Sequence, residues 1–252
     1  MPVAATCTRS AYDARVLLTL YRHATLRVEI GGRRLLVDPM LDDVGRRPPV
    51  ESTPNPRRNP LVALPVPALE IVREIDAVVV THLHQDHFDA TAARLLPRDV
   101  PVFCQPEDDR RLRELGLDTW PVEHSLEWGG LHLVRTGGRH GTGEIEQLLA
   151  PVSGFVIDDL YLAGDTVWCD LVEEAIAEHA PRVAVVNGGA ARFLEGDPIV
   201  MTRDDIRAVA ARVPTVVVTH LEAINHCLET RAEVRAAVPE AIVPADGETI
   251  DV

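Results

Sequence analysis

The sequence predicts a mixed α/β fold, with two layers of sheet carrying helices on their outer faces, in one domain over residues 1–252. Three observations predict it. Stretches of strand character open the chain as a meander and then alternate with helical stretches, and a β-rich segment followed by further alternation comes after them. The hexapeptide VVVTHL occurs at 78–83 and again at 216–221, so each half holds a valine-rich, buried strand ending in Thr-His. No stretch reads as a linker that would split the chain.

Strands are expected over 16–22, 25–30 and 33–37, the last two joined by a hairpin turn at Gly31-Gly32. The third strand ends at Asp38-Pro39, where Asp38 either begins a turn or orients a metal-ligating histidine from behind. His23, between the first two strands, is read as a hydrogen-bonded loop residue or as a catalytic one. Prolines across 46–67 forbid regular helix or central strand, yet the segment is too apolar for a free linker. We expect a long ordered loop rimming a binding site, with Arg57 and Arg58 either solvated or meeting an anionic group of the substrate. A strand over 76–81, a helix over 90–96, a strand over 100–105, a helix over 107–115 and strands over 119–123 and 131–136 follow. Then come a hairpin of 153–158 with 161–163, a helix over 169–179, a strand over 183–187, a helix over 204–213 introduced by Thr202, a strand over 215–219, a helix over 230–238 and a last strand over 241–243. Trp168 is a further candidate for substrate contact.

The strand over 76–81 runs into His82, His84, Asp86 and His87. Helix capping needs one such residue, not four. Alternation along extended chain puts His82 and His84 on one side, and the following turn brings Asp86 and His87 to a neighbouring point. Neutral imidazole and carboxylate are the donors that Zn²⁺ and similar ions accept. His140 lies in GGRHG, where glycines let backbone approach a centre closely, and is the next ligand candidate. His124 and His132 lack such a setting and are read as structural. Asp165 ends an apolar strand after Gly164, where burial demands a cation or donors. His220 closes a rigid strand and is read as a ligand. His226 lies on the turn beyond it and is read as facing substrate.

Composition limits the partners. Apolar residues make up 46% of the chain, enough for a substantial core. A formal net charge of −14 disfavours nucleic acid and anionic membrane, which need basic footprints, and leaves a small-molecule substrate, with homo-oligomerisation open. No apolar run approaches a membrane span, and residues 1–15, read as an N-terminal extension, show no signal-peptide core, so a cytoplasmic setting is expected. Cys7, Cys104, Cys169 and Cys227 are scattered without a C-x-x-C and are expected as reduced thiols.

The run His82-x-His84-x-Asp86-His87 resembles the signature of the metallo-β-lactamase superfamily. The resemblance covers nearly the whole chain in order: HATLRVEIGGRRLLVDP, HLHQDH, GRHG, AGDT and the last VVVTH. It implies an αββα sandwich with the metal site at one edge of the two sheets. It also implies that His82, His84 and His140 hold one ion, that Asp86, His87 and His220 hold a second, that Asp165 bridges them, and that Asp38 supports the ligands from behind. The HAT…DP opening and the length look most like the branch of the ascorbate-6-phosphate lactonases. The implied activity is hydrolysis of a lactone, ester or amide of a small polar metabolite. Two divalent ions, Zn²⁺ first and Mn²⁺ or Fe as alternatives, would lie roughly 3.5–4 Å apart and share a hydroxide as nucleophile. Asp86 would accept its proton, and His23 or His226 would serve the leaving group or the oxyanion. A phosphodiesterase using the same centre is the alternative. A non-hydrolytic redox or metal-binding protein is a third reading.

Overall fold

In the computed structural model, which describes residues 15–252, Gly31 and Gly32 both take positive φ, 55° and 75°. That is the turn geometry whose twist matches a pair of antiparallel strands. It joins β2 (Thr25–Ile30) to β3 (Arg33–Val37) with Ile30 opposite Arg33. β1 (Leu17–Arg22) pairs antiparallel with β2. β4 (Ala77–Val80), β5 (Pro101–Cys104) and β6 (Asp118–Pro121) extend the sheet in parallel from β3. The second sheet contains β7 (Ser125–Trp128), β8 (Leu131–Gly137), β9 (Ser153–Ile157), β10 (Leu160–Leu162), β11 (Val183–Asn187) and β12 (Thr215–Thr219), in the order β12-β11-β10-β9-β8-β7. β13 (Thr249–Asp251) returns to β1 at the free edge of the first sheet.

The helices are α1 (Ala68–Ile71), α2 (Ala90–Leu95), α3 (Pro106–Glu114), α4 (Glu144–Leu148), α5 (Asp170–His179), α6 (Arg203–Ala210) and α7 (Arg231–Ala237). Successive side chains of a strand face opposite ways, and this sorts the layers. Ala77 and Val79 of β4 and Val217 of β12 enter the core between the sheets, with Leu20, Phe103 and Phe155. Val78 and Val80 pack outward against Ile71, Ala92 and Leu112 of α1, α2 and α3. Val216 and Val218 pack outward against Val172, Ile206 and Val234 of α5, α6 and α7. Strands covered on both faces show no polar alternation, which is why both read as unbroken valine runs. The result is the expected αββα sandwich. Thr202 and Thr230 close capping boxes with Asp205 and Glu233 at the starts of α6 and α7. No helix among the described residues is long and apolar enough to cross a membrane.

Several elements depart from expectation. The expected strand over 241–243 makes a single parallel bridge, Ile242 to Val217, and the edge strand is Thr249–Asp251 instead. β7 was not anticipated, because Ser-Leu-Glu-Trp is half exposed and carries no apolar run. α1 and α4, of four and five residues, are too short to show a helical period. The expected extension over 1–15 falls almost wholly outside the described residues, as does Cys7.

Candidate metal centre

Strand ends deliver most of the cluster. β4 leads directly into Thr81, His82 and His84, and β12 into His220. Asp38 directly follows β3, and Asp165 follows β10 after Gly164. The segment after β8 carries His140, and the β1–β2 turn carries His23. His23, Asp38 and His220 take left-handed backbone, with φ of 59°, 43° and 65°. Such strain persists only where surroundings hold it. Here the Asp38 carboxylate accepts three hydrogen bonds, and the His220 N–H donates to the His23 carbonyl at 2.9 Å.

These side chains converge on Asp165. His87 Nε2 lies 3.1 Å from Asp165 Oδ2 and His220 Nε2 3.3 Å from Oδ1, with His140 Nε2 at 3.8 Å and His82 Nε2 at 3.9 Å. His82 Nε2 stands 2.9 Å from His84 Nδ1. His23 Nε2 is 3.3 Å from Asp86 Oδ2, and the His23 ring lies against that of His220 with centroids 3.6 Å apart. Three groups of potential donors lie close enough for a shared ion: His82 with His84 and His140; His82 with His87 and Asp165; and His23, Asp86, His87 and His220.

The outer ring nitrogens explain why the inner ones face the centre. His87 Nδ1 donates to Asp38 at 2.8 Å, and His140 Nδ1 to the Ile199 carbonyl at 2.9 Å. An acceptor behind the ring holds the proton on Nδ1 and frees Nε2. His87 Nε2 and His220 Nε2 are then buried without a hydrogen-bond partner. Buried polar atoms are seldom left so. Nitrogen and carboxylate donors aimed at one point fit a divalent cation.

Burial opposes charge on Asp165, but His220 and His87 hold its carboxyl well below the usual range. Burial likewise opposes charge on Asp86, and His23 and His87 outweigh it. Burial and the neighbouring His87 hold His82 well below the usual imidazole value, so it is neutral, the form a metal needs. Burial would depress His87 too, but Asp165 and Asp38 raise it instead.

A cavity of about 280 Å³ opens beside the cluster. His84, Asp86, His140, Asp165 and His226 form its polar side. Pro49, Val50, Leu149, Phe193, Ile199 and Ile224 form an apolar wall. The proline-rich loop thus lines the cavity through residues 47–50 and Asn59. His23 is fully buried and does not reach it. Arg57 and Arg58 are exposed and do not line it; Arg58 is tied back to the Gly45 and Arg46 carbonyls, and the arginine at the cavity is Arg47. Trp168 packs beside the outer core under the Arg212 guanidinium, 4.7 Å from its ring centre, away from the cavity. Asp165 does not cap α5, whose N-cap is Cys169. Cys104, Cys169 and Cys227 are free thiols.

Sequence reasoning missed three supports. Asn187 Nδ2 donates to Asp165 Oδ1 at 2.8 Å; a polar residue ending the buried run VAVVN is the same signal that marked Asp38. Cys227 Sγ lies 3.6 Å from His220 Nδ1. Asn225 is fully buried and binds the proline-rich loop through Val50, Thr53, Asn55 and Asn59. No pattern in the sequence announces the last two.

A model of the β-lactamase superfamily domain matches residues 33–221. The UPF0173 protein YddR of Bacillus subtilis is 36% identical over 249 residues, 92% of this chain and 98% of that protein. A possible metal-dependent hydrolase from Veillonella parvula superposes with a TM-score of 0.91 at 34% identity, over 95% of this chain and all of that one. An isothiocyanate hydrolase from Delia radicum gut bacteria superposes with a TM-score of 0.87 at 34% identity, over 93% of this chain and 98% of that one.

Proposed function

This chain belongs to the β-lactamase superfamily as a metal-dependent hydrolase with a His/Asp metal-binding cluster, and on that premise we propose a two-metal enzyme that opens a lactone, ester or amide bond. The observation that carries the reading is the convergence of His82, His87, His140 and His220 on the buried Asp165 carboxylate, with a cavity alongside. In this reading His82, His84 and His140 would hold one ion and Asp86, His87 and His220 the other, with Asp165 within reach of both sets. Zinc is the first choice, with manganese or iron accepted by the same atoms. Bound there, divalent ions supply Lewis acidity and an acidified water at neutral pH.

The remaining work falls to the chain's own residues. Asp86 is the more accessible of the two cluster carboxylates, with its side chain 14% exposed against 3% for Asp165, so it meets incoming water. His23 braces Asp86 from behind and is too buried to touch substrate. That leaves His226 at the leaving group or oxyanion. It lines the cavity, its Nδ1 has no partner, and burial lowers its pKa to about 4. It therefore acts as a neutral hydrogen-bonding imidazole at pH 7. The apolar wall selects a substrate with an apolar part close to the reacting carbon.

Lactones are the first substrates to test, from the sequence's likeness to ascorbate-6-phosphate lactonases. Isothiocyanates are a second reading, favoured by the same apolar wall and by the relative that hydrolyses them. Their central carbon is an electrophile open to the same attack by water. A phosphodiester is supported less, since Arg47 is the one cationic side chain among the described residues lining the cavity. We propose a small molecule as the partner, in a cytoplasmic setting. The test is metal analysis of protein purified without chelator, followed by turnover of lactones, p-nitrophenyl esters, phenethyl isothiocyanate and bis-p-nitrophenyl phosphate. Two metal equivalents with turnover at a carbonyl or isothiocyanate carbon are expected. Turnover of the phosphodiester alone would overturn the reading.

A further inference from the structure

A second cavity, of about 400 Å³, adjoins the first and shares Arg47, Pro48 and Gln85 with it. Four arginines line it: Arg46 and Arg47 from the proline-rich loop, Arg94 from α2 and Arg111 from α3. Leu83, Phe88 and Leu115 give it an apolar side. Such a concentration of positive charge is unexpected in a chain with 39 acidic and 25 basic side chains.

Two carboxylates, Asp42 and Asp89, line the same groove, so four arginines against two carboxylates leave an excess of two positive charges. Asp89 is engaged by the N–H groups of Ala92 and Asp42. Asp42 accepts from Thr91 Oγ1 and lies 3.3 Å from Arg47 Nε. Arg46, Arg94 and Arg111 form no ion pair among the described residues, and Arg94 Nη2 reaches only Thr91 Oγ1, at 3.3 Å. Arg47 Nη2 is buried with no hydrogen-bond partner. A guanidinium is a fork that matches carboxylate or phosphate, and a buried, unused arm of one is costly unless something anionic takes it.

We propose that this groove is an anion subsite of the active centre. It holds the carboxylate or phosphate end of an amphipathic substrate whose scissile bond lies at the His/Asp cluster. The shared Arg47, Pro48 and Gln85 are the passage between the two ends. This rests on the hydrolytic reading for the word substrate, but the binding of an anion does not.

Two measurements separate the two ideas. The first is calorimetric titration of hexanoate and of inorganic phosphate into wild type, into Arg94→Gln/Arg111→Gln, and into Arg73→Gln/Arg110→Gln, which removes the same charge from exposed positions outside the groove. Binding should weaken at least about tenfold in the groove variant and stay near wild type in the other. Whichever of the two probes binds identifies the headgroup. The second is hydrolysis of mono-p-nitrophenyl esters of the dicarboxylic acids from succinate to suberate, each against the neutral ester of equal chain length. Wild type should favour the charged ester about tenfold or more in kcat/KM, mainly through KM, at one preferred length, and the groove variant should bring that ratio to about one. Groove-dependent binding without hydrolysis of any ester sinks the hydrolytic reading and keeps the subsite. Hydrolysis with no charge preference, together with equal anion binding in all three proteins, sinks the subsite alone.

Discussion

Asp38→Asn changes one atom and should weaken one metal site. The Asp38 carboxylate accepts from Thr81 N at 2.8 Å, from Thr81 Oγ1 at 2.7 Å and from His87 Nδ1 at 2.8 Å. Asparagine keeps the shape but offers one oxygen. If that oxygen stays on Thr81 N, the new NH₂ group faces two donors. His87 escapes the clash by moving its proton to Nε2, the nitrogen aimed at Asp165, and a protonated nitrogen cannot ligate. If the amide flips instead, the buried Thr81 N–H loses its acceptor. Either outcome costs about 1–3 kcal/mol, which corresponds to the ~10–100-fold loss in metal affinity usual for residues behind a ligand. Competition with a chelating dye reads the affinity, and ¹⁵N NMR of the histidine side chains reads the tautomer. The expected result is one weakened site and one unchanged, because His82, His84 and His140 do not touch Asp38 by hydrogen bond. The tautomer tells the two branches apart; unchanged affinity at both sites together with unchanged stability would refute the reasoning.

Asp165→Asn should be more damaging, taking metal content from two equivalents to one or fewer, because this carboxylate faces both proposed ions; a loss no larger than that of Asp38→Asn, by elemental analysis, would remove it from the bridging position. His226→Gln should retain both metals and lower kcat by roughly 10²–10⁴ if its imidazole assists the leaving group; loss of a metal equivalent would instead make it a ligand. The same variant carries a pH signature. With its pKa lowered to about 4 from 6.5, His226 binds its proton more readily in the unfolded chain. Its contribution to native stability is therefore complete above the unfolded value and falls as pH drops from 6.5 towards 4, by roughly 3 kcal/mol at most. In chelated protein, His226→Gln should flatten that decline, and parallel urea-unfolding curves across the window would contradict the assignment. Asn225→Ala removes the bonds that tie residues 50–59 to the His226 turn, and should destabilise by about 3 kcal/mol and raise KM more than it lowers kcat; equal effects on both would show that the loop does not shape the cavity.

Much of this was legible because the relevant signals are local. Runs such as AVVV and TVVVT announce strands buried on both faces, and the two capping boxes announce helix starts within four residues. The imidazoles of 82–87 declared themselves by density alone. What was not legible depends on distant parts meeting. Arg46-Arg47 and Arg57-Arg58 are both adjacent pairs in the proline-rich stretch and nothing in the sequence separates them, yet the loop's path puts Arg47 at the cavity and leaves Arg57 and Arg58 in solvent. Trp168 follows the Asp165 segment closely, but α5 begins there and carries it to the helical side. His23 reads from the sequence as a loop residue or a catalytic one, because nothing near it in sequence shows that the His220 ring lies against it. β7 and the edge strand β13 are set by pairing with partners, and their own composition says little.

The repeated VVVTH gains its reason from the neighbouring strands. β3 runs parallel to β4, and β11 runs parallel to β12. In the first pair, Thr81 Oγ1 donates to Asp38, the residue that follows β3, at 2.7 Å. In the second, Thr219 Oγ1 donates to Asn187, the residue that ends β11, at 2.9 Å. Each threonine thus fastens its strand end to the polar residue closing the next strand, and the histidine after it is fixed at the edge of the sheet. The two halves differ where the chemistry differs. The residue at 38 must accept from His87 Nδ1, so a carboxylate stands there. The residue at 187 must donate to Asp165 Oδ1 while accepting from Thr219, so an amide stands there. Swapping the two types, Asp38→Asn with Asn187→Asp, would place a donor against the donor of His87 and a second carboxylate against Asp165. Both errors act at the same centre, so the double variant should lose more metal affinity than either single one. A double variant that binds metal like wild type would mean that the match of amide to carboxylate across the seam is incidental.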